Sequence, residues 1–385
     1  VEEQSDGAVE NTITTDVSAT PKRRVALDAM GGDNAPGEIV LGAIQAAQEQ
    51  GIGVWLVGPE ETLRAELARH DTTGLDLEIV HTDEVIGMDE HPAEAVRSRR
   101  RNTMTLCHEL VRDGKALGAV SAGNSGAMMA SALLTLRRIK GVDRPALGAV
   151  LPAANGARTL VLDVGANTDS KPEYLAQFAL MGSAYMRSAF GVERPRVGLL
   201  ANGEEESKGD QLVQEAHQLL KATASAAGLN FIGNVEGRDI NAGTVDVVVC
   251  DGFVGNVVLK LSEGISKMIL GTIRKELTAG PISSVGALLA KPAFDRVRKQ
   301  MDYEEYGGAP LLGVNGVSII SHGRSGAKAI KNAIRVAIQA ADAHMPEMIA
   351  KGLQSMSQGA SQETSAPVAT ASTGETGDED AASAS

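Results

Sequence analysis

The sequence predicts an α/β protein built on a mostly parallel sheet with helices on both faces. Three observations carry this: short runs that are apolar without interruption, helical stretches that alternate with them, and a glycine-rich turn after most runs. A strand buried on both faces is apolar continuously rather than at every second residue, and parallel neighbours require a crossover helix between them.

Val25-Ala26-Leu27-Asp28-Ala29-Met30 is the first such run, and Pro36 suits the first turn of a helix carrying Val40, Ala43, Ile44 and Ala47 on one face. Val54-Trp55-Leu56-Val57-Gly58 follows, with Pro59 opening the next helix. Ala119-Val120-Ser121, Leu160-Val161-Leu162-Asp163, Val197-Gly198-Leu199-Leu200 and Val245-Asp246-Val247-Val248-Val249-Cys250 repeat the theme. Residues 260–301 depart from it. Leu261, Ile265, Met268, Ile269, Ile273 and Leu277 recur at helical spacing, Pro281 follows, then Ile282, Val285, Leu288 and Leu289, with Pro292 closing the run and Phe294, Val297 and Met301 continuing at i, i+3 and i+7. This pattern predicts a helical hairpin with an apolar tip, suited to core or dimer packing or to binding at a surface.

The chain divides into a polar tail over residues 1–23, an α/β body over 24–350 that contains the hairpin, and a Ser/Ala/Thr/Gly-rich tail over 351–385. Both tails are expected to be disordered, because neither holds enough large apolar side chains to offset chain entropy. Of the 385 residues 43% are hydrophobic, enough for a sizeable core, and the net charge of −13 provides no field to attract nucleic acid. Cys107 and Cys250 have no CxxC spacing and fit apolar patterns, as buried free thiols do. No apolar run reaches the ~18 residues of a membrane span.

Five segments at strand ends combine glycine with Asp, Asn, Ser or Lys: Asp28-Ala29-Met30-Gly31-Gly32-Asp33, Ser121-Ala122-Gly123-Asn124-Ser125-Gly126, Asp163-Val164-Gly165-Ala166-Asn167, Asn202-Gly203-Glu204-Glu205-Glu206-Ser207-Lys208-Gly209 and Asp251-Gly252-Phe253-Val254-Gly255-Asn256. Ligands of open α/β sheets bind beyond strand carboxyl ends, where backbone N–H groups and helix N-termini favour anions. None of the five matches a dinucleotide or Walker fingerprint in its proper setting. Together they predict a grip on a phosphate-sized anion. Lys208 is placed near the start of a helix expected from about Ser207, where a cation opposes the helix dipole; an anionic ligand accounts for it, and so does pairing with Glu204 or Glu205. Asp28, Asp163 and Asp251 end apolar runs, where they either cap helices or orient loops. His322, in Ser321-His322-Gly323, ends the last strand-like run and is a further candidate. No His/Cys/Asp cluster has structural zinc spacing.

With these segments in order, the chain resembles the PlsX family, the acyl-acyl-carrier-protein:phosphate acyltransferases. The resemblance also rests on Arg138-Ile139-Lys140-Gly141-Val142-Asp143-Arg144-Pro145-Ala146 and Tyr306-Gly307-Gly308-Ala309, and runs from about residue 24 to 345. Two departures stand out: Asn102-Thr103-Met104 replaces a usual Ser-Ser-Met, and Gly326 falls where an acidic residue often follows the His-Gly-x-Ser pattern.

The resemblance implies a three-layer α/β/α fold like that of phosphotransacetylases and isocitrate or isopropylmalate dehydrogenases. It implies a cytoplasmic homodimer that works peripherally at the membrane, with no cofactor or metal. Its reaction would be transfer of a fatty acyl group from acyl carrier protein to inorganic phosphate, the acyl phosphate then passing to a membrane glycerol-3-phosphate acyltransferase for phospholipid biosynthesis. Lys208 would bind phosphate and Asn256 would donate to the carbonyl or phosphate oxygen. Asn124, Ser125 and Gly126 would form a second anion contact; Asp28, Gly31, Gly32, Asp33, Ser121, Gly123, Asp163, Asn167, Asp251, Gly252 and His322 would bind or hold loops. Leu277, Ile282, Val285, Leu288 and Leu289 would serve the dimer or membrane contact. Arg97, Arg99, Arg100 and Arg101 offer a basic patch for the acidic carrier protein or a solvated helix face. A phosphotransacetylase-like enzyme acting on short acyl-CoA is the alternative in the same class; a metal- and NAD-dependent dehydrogenase and a non-catalytic scaffold are the others.

Overall fold

A computed structural model describes residues 23–301 and 303–363; the expected N-terminal tail up to residue 22 and residues 364–385 lie outside it. The apolar runs form strands β1 (Arg24–Asp28), β2 (Gly53–Gly58), β3 (Leu77–His81), β4 (Ala119–Ser121), β5 (Ala146–Pro152), β6 (Arg158–Leu162), β7 (Arg196–Leu200), β8 (Asn230–Val235), β9 (Val247–Val249), β10 (Ala309–Leu312) and β11 (Ser318–Ile320). The helices are α1 (Gly37–Gln50), α2 (Glu60–Leu67), α3 (Pro92–Ser98), α4 (Thr103–Arg112), α5 (Ser125–Thr135), α6 (Pro172–Phe190), α7 (Gln211–Thr223), α8 (Asp239–Ala242), α9 (Gly252–Leu277), α10 (Pro281–Met301), α11 (Ala327–Asp342) and α12 (Met345–Glu363).

Alternation within buried strands builds the layers. Val25 and Leu27, Leu160 and Leu162, and Val247 and Val249 point into one core with α1, α6, α7, α11 and α12. Ala26 faces the opposite side with α3, α4 and α5, while Val161 and Val248 face α8 and the start of α9. Side chains of successive strand residues go to opposite faces, so helices on both sides bury both sets and give the expected three layers. Cys107 and Cys250 are buried free thiols.

The strands form one sheet in the order β3-β2-β1-β4-β11-β10-β5-β6-β9-β7-β8. It is mostly parallel, but β10 is antiparallel to both β11 and β5, and β5 is antiparallel to β6. Three reversals leave β6, β9, β7 and β8 running opposite to β1, β2, β4 and β11. The carboxyl ends of the two parallel blocks therefore leave opposite edges of the sheet, a division that the sequence reading of five equivalent loops does not contain.

One expected boundary moves. The body does not stop at 350: α12 continues to Glu363, with Ile349, Leu353 and Met356 buried at i, i+4 and i+7 against the α6 side of the core. The second hairpin helix, α10, reaches Met301, in keeping with the spacing of Phe294, Val297 and Met301, and runs through Pro292. Its neighbours Leu288 and Leu289 are exposed, so the carbonyl that loses its helical partner faces water. The hairpin of α9 and α10 otherwise stands as expected.

Candidate active site

β6, β9 and β7 are adjacent and parallel, and their register sets Leu162, Val249 and Leu199 level. The segments that follow them leave the sheet side by side, with the outer two about 10 Å apart at the usual strand spacing. In the first, Asp163 organises the turn: Oδ1 accepts from the N–H of Leu147 at 3.0 Å, Gly165 at 3.2 Å and Ala166 at 3.0 Å, and Oδ2 from the N–H and Nδ2 of Asn167 at 2.6 and 2.9 Å. Burial lifts its carboxyl above the ordinary range while these donors pull the other way. Asp163 and Asn167 therefore hold the loop and are not free to bind substrate.

The second segment is the N-terminus of α9 rather than a loop. Asp251 caps it, Oδ1 accepting from Phe253 and Val254 N–H at 2.9 and 3.0 Å. Gly252 donates its N–H to Asn167 at 2.7 Å. The helix start lies directly against the Asp163 loop: a Cβ on Gly255 would stand 1.9 Å from the Asp163 carbonyl oxygen, and one on Gly252 2.5 Å from that of Asn167. Those helix-start N–H groups are thus already bonded, and the free donor on this segment is the exposed Asn256, whose Cβ lies 4.0 Å from where a Cβ on Gly165 would be.

The third segment carries Lys208. The helix expected from about Ser207 begins at Gln211, with Asp210 as its cap accepting from Val213 N–H at 2.9 Å. Lys208 thus sits in the preceding loop, its N–H donating to the Glu205 carbonyl at 2.9 Å and its stem lying where a Cβ on Gly203 would meet Cγ at 2.7 Å. Pairing with Glu204 is not what the structure has: Glu204 meets Arg238 at 2.9 Å and Glu206 meets Lys221 at 2.7 Å. Among the described residues the ammonium of Lys208 has no ion-pair partner and the amide of Asn256 no hydrogen-bond partner. Both are exposed, one cationic and one a neutral donor, on neighbouring segments.

The other candidates gather at the carboxyl ends of β1, β4 and β11. Asp28, fully buried, accepts from Ser121 Oγ at 2.6 Å and from Met30 N–H at 3.2 Å, with Thr103 and Gly31 also donating to it. The departure at Asn102-Thr103 keeps working hydroxyl chemistry here, with Asn102 capping α4. Ser121 Oγ accepts in turn from Gly123 N–H at 3.0 Å. Asn124 caps α5 through Oδ1 and donates Nδ2 to the carbonyls of Met88 and Glu90 at 3.1 and 3.0 Å. Its side chain is therefore not available to an anion, whereas Ser125 is exposed and, among the described residues, the N–H groups of Ser125 and Gly126 are unpaired. Gly32 packs against the Gly323 carbonyl, to which Asp33 donates its N–H at 2.7 Å, and His322 Nδ1 accepts from Arg324 N–H at 3.1 Å. Where Gly326 lacks an acid, Glu38 from α1 reaches over and accepts from Ala327 N–H at 2.8 Å.

Of the basic patch, Arg99 turns inward to Glu90 and the Val85 carbonyl, leaving Arg97, Arg100 and Arg101 exposed. Sequence reasoning has Gly255 in its fifth segment without a role of its own, though a glycine one turn into a helix that follows a buried strand is a signal of close backbone approach.

Comparison with known proteins identifies the family. The family model described as fatty acid synthesis protein matches residues 23–348. The phosphate acyltransferase of Trichlorobacter lovleyi is 52% identical over 86% of this chain and 94% of its own, and that of Geobacter sp. (strain M21) is 54% identical over 82% and 88%. The EutD phosphotransacetylase from Staphylococcus aureus has the same fold, with a TM-score of 0.56 over 83% of this chain and 94% of its own at 19% identity. With half its residues shared with phosphate acyltransferases over nearly their full length, the chain belongs to the PlsX family and is an enzyme that transfers an acyl group to phosphate.

Proposed function

We propose that the acyl donor is a fatty acyl thioester of acyl carrier protein and that inorganic phosphate is the nucleophile. A phosphate oxygen attacks the thioester carbonyl, the C–S bond breaks, the carrier thiolate leaves and takes up a proton, and acyl phosphate is released for phospholipid biosynthesis. A thiol leaves readily and phosphate is itself an adequate nucleophile. The enzyme therefore has to bring two anionic partners together and stabilise the tetrahedral oxyanion. The observation that carries the reading is the pair of unpartnered side chains at the ends of β6, β9 and β7: Lys208 holds the phosphate, and Asn256 donates to the developing oxyanion. Ser125 and the free N–H groups of Ser125 and Gly126 form a second, weaker anion contact. Arg97, Arg100 and Arg101 suit the acidic carrier protein.

The deciding experiment measures phosphate-dependent thiol release from a long-chain acyl carrier protein and from acetyl-CoA. Turnover with the carrier thioester and little with acetyl-CoA is expected; the reverse establishes the phosphotransacetylase-like alternative.

The hairpin supports a second reading, of a homodimer seated peripherally on the cytoplasmic face of the membrane beside an acceptor acyltransferase. Among the described residues no helix is long and apolar enough to cross a membrane. Yet Leu261, Met268, Ile282, Val285, Leu288 and Leu289 are all more than half exposed, Ile282 at 89%. Leu277 is half-buried near the turn between the helices. Apolar surface on this scale marks an interaction site. Leu288→Glu with Leu289→Glu should loosen association with anionic liposomes while sparing turnover on soluble substrate; equal liposome binding by variant and parent refutes the membrane contact.

A further inference from the structure

His217 and Asn234 lie behind the Lys208 loop and both are buried, at 3% and 6% exposure. Asn234 Nδ2 donates to the Glu205 carbonyl at 2.8 Å, the same oxygen that accepts the Lys208 N–H at 2.9 Å. A carbonyl only accepts, so the amide nitrogen of Asn234 must face it and Oδ1 must face the imidazole. His217 Nδ1, 2.8 Å from that Oδ1, then carries the proton. On its other side His217 Nε2 stands 3.8 Å from Glu206, which Lys221 holds at 2.7 Å. Gln214 closes the loop from α7, donating to the carbonyls of Ser207 and Gly209 at 3.0 Å each.

The strand is bent to make this contact. Phe231 and Asn234 are three residues apart and would face opposite sides of a regular strand. The pairing of β7 with β8 slips between Val197 and Gly198, matching Val197 with Phe231 and Gly198 with Gly233. Ile232 is the extra residue, 44% exposed, and Gly233 takes φ 95°. This bulge brings Asn234 to the side of Phe231, so that both meet His217, Phe231 edge-on at 5.3 Å. Bulges beside functional sites re-aim a side chain in this way.

We propose that His217 and Asn234 are positioning residues for phosphate, a buried relay, aimed by the bulge in β8, that fixes the Glu205 carbonyl and through it the place of Lys208. The proposal rests on the reading that Lys208 holds the phosphate. It is tested by phosphate saturation at a saturating thioester donor. Asn234→Asp keeps the acceptor for His217 and removes the donor to Glu205. It should raise the phosphate KM about tenfold, the equivalent of one lost hydrogen bond, while the donor KM and the kcat at saturating phosphate hold. His217→Leu should raise the phosphate KM likewise, and His217→Gln, which restores an N–H toward Asn234, should recover it; this pair decides the matter if Asn234→Asp does not fold. Lys208→Ala is measured beside them. A raised phosphate KM in Lys208→Ala with parental values in the relay variants overturns the relay alone. An unchanged phosphate KM in Lys208→Ala overturns the phosphate role of Lys208 and the relay with it.

Discussion

The loops at the ends of β1, β4 and β11 and those at the ends of β6, β9 and β7 are written in the same residues, Asp, Asn, Ser and Gly after a buried strand, yet they spend them differently. In the first group Asp28, Ser121 and Asn124 are bonded to one another's segments and to the 87–90 turn, while the exposed Ser125 side chain is free. In the second, Asp163, Asn167 and Asp251 bond the frame, and Lys208 and Asn256 stand outside it without partners. A polar side chain already satisfied by the fold has little to offer a ligand, so the division between frame and site follows from which donors remain unused.

Removing the unused groups should have the largest effect. Lys208→Ala and Asn256→Ala should each lower turnover about 10²–10³-fold, as losing a transition-state donor does, with an unchanged melting temperature because neither side chain bonds to the protein. Steady-state rates of thiol release and thermal melting check both halves. A loss of stability in either variant would mean that these residues belong to the frame.

The converse applies to the first group. Asp28→Ala strands the hydroxyls of Ser121 and Thr103 and the N–H groups of Met30 and Gly31 in a buried site. It should cost about 1–3 kcal/mol in urea unfolding and leave the phosphate KM alone.

What the sequence shows of this division is uneven for physical reasons. Continuous apolarity marks strands buried on both faces, and β1, β2, β4, β6, β7 and β9 are legible from it. Pairing sense is not written in apolarity, so the reversal through β10 and β5, which separates the two loop groups, cannot be read from the runs. Lys208 is legible because a cation in a glycine-rich turn has no packing reason to be there. His217 and Asn234 are not, because their contact depends on a one-residue slip in β8 that shifts which side chains share a face. The continuation of α12 is legible in retrospect: Ile349, Leu353 and Met356 keep helical spacing within a stretch whose small polar residues suggest disorder.

Burial holds the Asp28 carboxyl above its ordinary 3.8, so the folded chain keeps that proton to higher pH than the unfolded chain does. Between the two values the folded state binds more protons, and stability falls as pH rises through that window. The parent should therefore be most favoured relative to Asp28→Asn below the ordinary carboxyl value and lose ground as the pH climbs past the raised one. Asp163 is shifted the same way but is present in both proteins and cancels. Urea unfolding of both across acid to neutral pH measures the difference directly; a flat difference would mean that burial does not raise the Asp28 carboxyl.

The smallest effect falls on the residue that blurs the boundary. Ser125 is exposed at the start of α5, with the unpaired N–H groups of Ser125 and Gly126 beside it. As a solvated hydroxyl in a secondary anion contact, it should change turnover only about twofold when replaced by alanine, a few tenths of a kcal/mol being the worth of an exposed hydrogen bond. The thioester KM and the phosphate KM are to be read separately for Ser125→Ala. A modest rise confined to one substrate tells which anion the α5 end meets. A loss as deep as that of Lys208→Ala would place the first loop group inside the reacting centre, and the line drawn here between frame and site would then run through α5 instead of between the two halves of the sheet.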